Sequence, residues 1–153
     1  MSEKGNRTIA LIALLTGKEK KVFSNQLNGG KRASISLLFN SICYGLKSSK
    51  SDLLEKKRLF EKAFGSTYTK DKDYLLRNEF RLLTQELTKF LSLEQMKKSM
   101  RDNPLEEKRL VLQSYLDRGA FDLFDKEWGK VLAEAQNQKS LDTALDVQKM
   151  AID

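Results

Sequence analysis

The sequence contains no histidine, one cysteine and one proline among its 153 residues. Without histidine, the chain has no imidazole for acid-base catalysis and cannot form the common zinc sites that combine histidine with cysteine. The single cysteine, Cys43, cannot form a disulfide within the chain, which fits a reducing compartment such as the cytoplasm. Because proline and glycine are scarce, long segments rich in Leu, Lys, Glu, Gln and Ala run uninterrupted, and this composition predicts an all-α fold.

Long apolar runs are also missing. The apolar run at residues 9–15 is far shorter than the roughly 20 residues of a membrane-spanning helix. Lys4 and Arg7 precede this run as in a secretory signal, but TGKEKK follows it and supplies no small-residue cleavage site. We therefore expect a chain that is neither exported nor embedded in a membrane. The sequence also contains no alternating run rich in Val, Ile and Thr of the kind that predicts a β-sheet.

Charge is unevenly distributed along the chain. Residues 1–72 hold 15 Lys and Arg against 6 Asp and Glu, a net +9, whereas residues 73–153 hold 13 against 15, a net −2. A basic half can attract nucleic acid or an acidic protein surface, although lysine-rich helices are more often simply solvated faces.

One long amphipathic helix, predicted at residues 73–96, is the centre of the expected fold. Its apolar stripe has helical spacing and consists of Leu76, Phe80, Leu83, Leu87 and Phe90. The opposite face, predicted to lie in water, carries Arg77, Glu79, Arg81, Gln85, Glu86 and Lys89. Glu94 interrupts the stripe after about two heptads, so a core-facing helix is favoured over a coiled coil.

Shorter helices are predicted around it at residues 7–15, 17–27, 32–47, 53–64, 104–117, 120–136 and 141–151. The first of these is expected to be buried on most sides. The expected core residues of the helix at 53–64 are Leu53, Phe60, Ala63 and Phe64. The helix at 120–136 is expected to present along one side Phe121, Phe124, Trp128, Val131, Leu132 and Ala135, and the last helix has the apolar positions Leu141 and Leu145. The expected caps are a Thr16–Glu19 capping box, Ser51 or Asp52, Asn103 before Pro104, and Ser140, with a left-handed stop at residues 28–30.

These helices predict one domain at residues 1–153, with a possible subdivision into a helical bundle, 1–97, and a hairpin plus terminal helix, 98–153. The hairpin is expected where Arg118 and Gly119 join two helices. Such an antiparallel pair is the unit of tetratricopeptide-like stacks, although the specific tetratricopeptide consensus is absent.

No recognisable catalytic motif emerges. Gly-Gly-Lys at 29–31 is not a phosphate loop, because the required earlier glycine is Asn25 and the residue after the lysine is Arg32. Cys43 lies beside an apolar stripe without an acid or base partner and is interpreted as a packed small hydrophobe. The sequence therefore predicts no catalytic residue, no cofactor and no metal site, and the chain is not expected to be an enzyme.

A basic surface is the candidate functional feature, and its predicted members are Lys56, Lys57, Arg58, Lys62, Lys70, Lys72, Arg77 and Arg81. The helix at 53–64, the following loop and the central helix could imitate a helix-turn-helix, with Lys72, Arg77, Asn78 and Arg81 as base-reading candidates. Acidic side chains at Asp71, Asp73 and Glu79 would repel phosphates, which favours a plain helical hairpin.

Three stretches of the chain, GKEKKVFSNQL, LFEKAFGSTYTKDKDYLLRNEFRLLTQELTKFL and EEKRLVLQSYLDRGAFDLFDKEWGKVL, resemble the opening domain of a family of uncharacterised proteins from Bacteroidota. The matching positions are Glu19, Phe23, Leu59, Phe60, Tyr68, Leu76, Arg77, Asn78, Arg118, Gly119, Leu123 and Phe124. The resemblance covers about residues 16–132 and consists mostly of packing and turn positions. It implies a helical fold and brings no catalytic or binding residues with it. Longer members continue into a helical array, so both a short member and a fragment stay open.

Two classes of function remain. The favoured hypothesis is a cytoplasmic interaction or scaffold module that binds another protein through its helical surfaces. The alternative is nucleic-acid binding, nonspecific or helix-turn-helix-like, through the basic N-terminal half.

Overall fold

The computed structural model of the protein describes residues 3–30, 32–137 and 141–152. Those residues form eight α-helices and two short 3₁₀ helices, and none of them is in a strand, which confirms the all-α prediction. In chain order the elements are α1 (Glu3–Leu14), α2 (Gly17–Asn28), α3 (Ala33–Lys47), η1 (Ser51–Leu54), α4 (Lys56–Phe64), η2 (Lys70–Lys72), α5 (Asp73–Asp102), α6 (Pro104–Asp117), α7 (Phe121–Asn137) and α8 (Leu141–Ile152). None of the described helices combines the length and the apolar character needed to cross a membrane.

The chain divides into two compact units, residues 1–92 and 93–153. Unit 1 contains α1 to α4 and the first part of α5, and unit 2 contains the end of α5 and α6 to α8. The sequence suggested a possible boundary a few residues later, after residue 97.

The core of unit 1 is built on α5. All five residues of the predicted stripe, from Leu76 to Phe90, are at most 3% exposed, which confirms the face that the spacing predicted. Aromatic rings from other helices close over them: the Phe23 ring centroid lies 4.8 Å from that of Phe39 and 5.2 Å from that of Phe90. Edge-to-face and tilted contacts of this kind add to the burial of apolar area.

Two predicted faces in unit 1 are wrong. Glu79 was placed on the wet side of α5, yet it is 1% exposed, because the side chains of Arg32 and Ser34 reach across from the start of α3 to bind it. The segment 7–15 was expected to be buried on most sides, yet Leu14 is 71% exposed. Only one side of α1 faces the core, through Thr8 and Ile12.

The fourth predicted helix begins later than expected. Residues 51–54 form η1 instead of a first α-helical turn, and neither Ser51 nor Asp52 caps α4, whose N-cap position is Glu55 without a side-chain hydrogen bond. The 3₁₀ turn packs closely on α3 at Gly45, where a Cβ atom would lie only 2.5 Å from Leu54 Cδ2. Packing between η1 and α3 therefore prevails over the local helical pattern.

Core membership in this segment also differs from expectation. Leu59, which the pattern did not single out, is completely buried, whereas Leu53 and Phe64 are only half-buried.

At α2, the predicted N-terminal capping box is confirmed and the predicted left-handed C-terminal stop is wrong. The capping box is present, with the Glu19 amide donating to Thr16 Oγ1 at 3.1 Å and the Thr16 amide donating to Glu19 Oε1 at 2.9 Å. The stop at residues 28–30 is not left-handed, since Gly29 has φ −78°. Left-handed glycines lie instead at Gly65 and Gly119, each with φ 69°.

Unit 2 packs α6, α7 and α8 around a small core of Leu112, Phe124, Val131, Val147 and Met150. Phe121 and Leu145, which the pattern placed on the apolar sides of α7 and α8, do not face this core: they are 60% and 52% exposed. Since α8 packs on both α6 and α7, the unit is more than a helical hairpin, and its tetratricopeptide-like character stays a prediction.

Helix α6 begins at Pro104, as predicted, but Asn103 makes no side-chain cap hydrogen bond. At its other end, the Ala120 amide donates to the Tyr115 carbonyl and the Gly119 amide to the Leu116 carbonyl, at 2.8 and 3.1 Å. This is a Schellman motif, and it requires the left-handed conformation of Gly119. The cap predicted at Ser140 lies outside the described residues.

Candidate functional site

Two of the predicted basic-surface residues belong to a local cluster around Asp73. Lys56 Nζ lies 3.2 Å from Asp73 Oδ1, and Arg77 Nε lies 3.1 Å from Asp73 Oδ2. Tyr68 Oη donates to Oδ1 at 2.9 Å, and this hydrogen bond, followed by Lys56, holds the pKa of Asp73 below its usual range. The cluster ties the α4–α5 loop to both helices, and the single negative charge of Asp73 offsets only part of the positive charge of Lys56 and Arg77.

The other six basic residues differ in how they are held. Arg58 Nη2 approaches Asp52 Oδ2 at 3.9 Å, with both side chains more than half exposed, so this ion pair contributes little. Arg81 donates to Asn78 Oδ1 at 2.9 Å. Four lysines have no ion-pair partner within the described residues: Lys57, Lys62, Lys70 and Lys72.

A concave groove on unit 1 brings two of these cations together with apolar side chains. It has a volume of about 560 Å³ and is formed by α3, η1 and α4. Its lining consists of Leu37, Asn40, Ser41, Tyr44, Leu53, Arg58 and Lys62. We refer to it as the α3–α4 groove.

The outward face of α3 forms the apolar side of the groove. The inner stripe of α3, which includes Leu38, Phe39 and Ile42, is buried in the core, so Leu37 and Tyr44 face away from it. Leu37 is 49% exposed and Tyr44 is 67% exposed, and Leu53 of η1 lies half-buried beside them. Single exposed apolar residues are ordinary, but three that line one concavity are typical of an interaction surface.

Two polar groups of the same face are already hydrogen-bonded within the protein. Ser24 Oγ donates to Asn40 Oδ1 at 3.1 Å, and Ser41 Oγ donates to the Leu37 carbonyl at 2.7 Å. The hydroxyl of Ser41 is therefore directed to its own helix. What the groove offers to a ligand is chiefly apolar surface.

The opposite wall carries the positive charge. Arg58 and Lys62 are four residues apart on α4, and residues four apart in a helix lie on one face. The other face of α4 is buried through Leu59, Phe60 and Ala63, so the face that carries the two cations is directed to the groove. The groove contains no paired acid and base and no nucleophile set beside a base, so its geometry suits binding better than reaction.

Sequence reasoning found the charged wall of this site but not its apolar side. Arg58 and Lys62 were in the predicted basic surface, but Leu37 and Tyr44 were not singled out and Leu53 was assigned to the core. The available signal was the spacing of Leu37 and Tyr44, which are seven residues apart and lie off the inner stripe of α3. That pattern places two large apolar side chains on a face that should be polar.

A second concavity, between α6 and α7 in unit 2, differs in its charges. It is lined in part by Val111 and Val131, and its charges are mixed. Lys108 is paired with Glu134 at 2.5 Å, and Lys130, Glu107 and Glu127 line the same concavity.

Cys43, on α3, is half-buried, and burial raises the pKa of its thiol. A thiol with a raised pKa is a poorer nucleophile at neutral pH, which agrees with its interpretation as a packing residue.

Comparison of the chain with family models, with curated proteins and with solved structures gave no significant match. The resemblance to the Bacteroidota family stays a prediction.

Proposed function

We propose that the protein is an interaction module that binds a carboxylate-bearing segment of another protein in the α3–α4 groove and has no catalytic activity. The observation that carries this proposal is the exposure of Leu37 and Tyr44 opposite Arg58 and Lys62. Apolar side chains held at a concave surface lose their contact with water when a partner covers them, which favours association.

The charges give the site a preference for one class of partner. Cations at the rim of an interface chiefly increase the association rate and the selectivity for acidic partners, while buried apolar anchors supply most of the affinity. Lys62 has no ion-pair partner within the described residues, and the Asp52–Arg58 contact is long. Both cations can therefore meet the carboxylates of a partner at little cost.

A cytoplasmic location is part of the proposal, because Cys43 is a free thiol and reduced thiols are usual there. Membership of the Bacteroidota family is part of it as well, supported by the motifs quoted above. Base-specific DNA recognition is less well supported, since Arg77 is paired with Asp73 and Asn78 accepts a hydrogen bond from Arg81. Those three side chains of α5 are engaged with their own helix.

Site-specific photo-crosslinking tests the proposal. A benzoylphenylalanine residue is introduced at Tyr44 in the groove, or at Leu14, a matched exposed apolar position on α1 outside it. After irradiation in cells that produce the protein, we expect a crosslinked partner from the Tyr44 position and not from Leu14. The partner is then purified and its binding to the full chain measured directly.

Leu37→Asp should weaken that binding strongly, because it places a charged carboxylate among the apolar anchors, where the partner's apolar side chains would remove it from water. Leu14→Asp should leave binding unchanged. Equal crosslinking from Tyr44 and Leu14, or binding that is insensitive to Leu37→Asp, would overturn the proposal.

A further inference from the structure

We infer that the segment bound in the α3–α4 groove is an acidic amphipathic α-helix whose carboxylates, four residues apart, meet Arg58 and Lys62 while its apolar side chains cover Leu37 and Tyr44. This inference rests on the proposed function and adds the conformation and the side-chain spacing of the partner.

The helical conformation follows from the walls of the groove. Both walls are α-helices, and the amide and carbonyl groups within them are bonded along their own axes. The groove consequently offers an extended peptide no sheet edge with which to pair its backbone. A helix satisfies its own backbone hydrogen bonds and needs only side-chain contacts from the groove, so it binds there without unpaired polar groups.

The apolar spacing also suits a helix. Leu37 and Tyr44 are seven residues apart, which is two turns, or about 10 Å along α3. Two large apolar side chains separated by seven residues on a partner helix cover the same distance. Leu53 lies in the groove beside them and widens the apolar surface that such a helix would contact.

The spacing of the two cations also suits a helical partner. Arg58 and Lys62 are one helical turn apart, so their side chains originate roughly 6 Å from each other. Glutamates four residues apart on the partner helix have the same separation. The competing carboxylate of Asp52 lies 3.9 Å from Arg58 with 56% of its side chain exposed, so solvent already screens this contact and a partner carboxylate can replace it.

Synthetic helices test these requirements on the full chain. The probe is a fluorescent, lactam-stapled peptide of about 16 residues with Leu at positions seven apart and Glu pairs four apart along one flank. Two matched peptides replace either the Glu pairs by Lys or the Leu residues by Ala. Fluorescence anisotropy in about 150 mM salt should show the acidic peptide binding at least roughly tenfold more tightly than either matched peptide.

A charge swap on the protein separates the groove from general electrostatics. Arg58→Glu with Lys62→Glu should weaken binding of the acidic peptide roughly tenfold or more and should allow the Lys peptide to bind. The control, Lys57→Glu with Lys70→Glu, changes the net charge by the same amount at exposed positions outside the groove. It should change the affinity for the acidic peptide by no more than about twofold. Circular dichroism checks that each variant is folded. If the charge-swapped chain is not folded, Tyr44→Ala replaces it as the test variant, and it should also weaken binding of the acidic peptide.

Three outcomes would overturn the inference. In the first, all three peptides bind alike or none binds. In the second, the two charge-reversed variants lose affinity equally. In the third, random duplex DNA displaces the acidic peptide at this salt concentration, which would assign the surface to nucleic acid. Failure of the peptides together with specific crosslinking at Tyr44 would reject the acidic helix and leave the protein-binding function standing.

Discussion

Arg32 Nη2 donates to Glu79 Oε1 at 2.6 Å, which joins the start of α3 to the second turn of α5. The Arg32 side chain is 52% exposed, whereas the Glu79 side chain is 1% exposed. Ser34 Oγ donates to the second carboxylate oxygen at 3.0 Å. A buried carboxylate requires such partners, because its removal from water is costly unless it is hydrogen-bonded and paired.

Arg32→Ala should therefore destabilise unit 1 by about 2 to 3 kcal/mol, since it leaves a buried charge with only the Ser34 hydroxyl. Arg81→Ala, which removes another exposed arginine whose partner is the neutral Asn78, should cost well under about 1 kcal/mol. Hydrogen exchange of the α3 and α5 amides measures both.

The double variant Arg32→Ala with Glu79→Gln isolates the interaction. Glu79→Gln removes the charge that needs compensation, so the added loss from Arg32→Ala should be much smaller in its presence. Additive losses would show that the guanidinium stabilises unit 1 by some other contact.

Asp73 should make the stability of unit 1 depend on acid pH. Its pKa in the folded chain is lowered by Tyr68 and Lys56, so its contribution to stability is present above the unfolded pKa, near 4, and is lost as pH falls through the folded pKa. Urea titrations at about pH 5 and pH 3 should show a smaller fall in stability for Asp73→Asn than for the unaltered chain.

Tyr68→Phe supplies an intermediate comparison, because it removes the hydrogen bond that lowers the pKa of Asp73 most. Its loss of stability between the two pH values should lie between those of the unaltered chain and Asp73→Asn. If all three chains respond alike, the cluster around Asp73 does not form in solution.

The two predicted N-caps should differ in energy. Thr16→Ala removes an observed capping-box hydrogen bond and should cost about 1 kcal/mol. Asn103→Ala removes no side-chain cap bond and should cost less than about 0.5 kcal/mol. Amide exchange in the first turns of α2 and α6 distinguishes the two, and an equal cost would mean that Asn103 caps α6 in solution.

Two glycines of unit 2 should respond to alanine in opposite directions. Gly119→Ala forces a Cβ into the left-handed region, at φ 69°, and should destabilise the unit by about 1 to 2 kcal/mol. Gly129 lies inside α7, where a Cβ meets no atom within 4 Å, so Gly129→Ala should stabilise the unit by up to about 1 kcal/mol.

The fluorescence of Trp128, the one tryptophan in the chain, reports urea unfolding of unit 2 in both variants. Destabilisation by Gly129→Ala would indicate that the outer face of α7 is covered in solution.

The helices and the main core face could be predicted from the sequence, because both depend on local periodicity. The stripe from Leu76 to Phe90 repeats at helical spacing, and such a stripe must be removed from water whatever covers it. The Thr16–Glu19 box and Pro104 were also predictable, since a capping box and an N1 proline involve only neighbouring residues.

Long-range contacts decided the remainder. The sequence placed Glu79 on the wet face of α5, and it is buried because Arg32 and Ser34, 47 and 45 residues earlier, donate hydrogen bonds to its carboxylate. Packing of Leu54 on Gly45 converts a predicted helical turn into η1.

The candidate site divides in the same way. The sequence alone determined that Arg58 and Lys62 are cations one helical turn apart. Only the tertiary structure placed them across a groove from Leu37 and Tyr44, because which elements face each other depends on how α3, η1 and α4 pack together. Periodicity determines which side of a helix leaves the core, but it does not determine what lies opposite the side that remains in water.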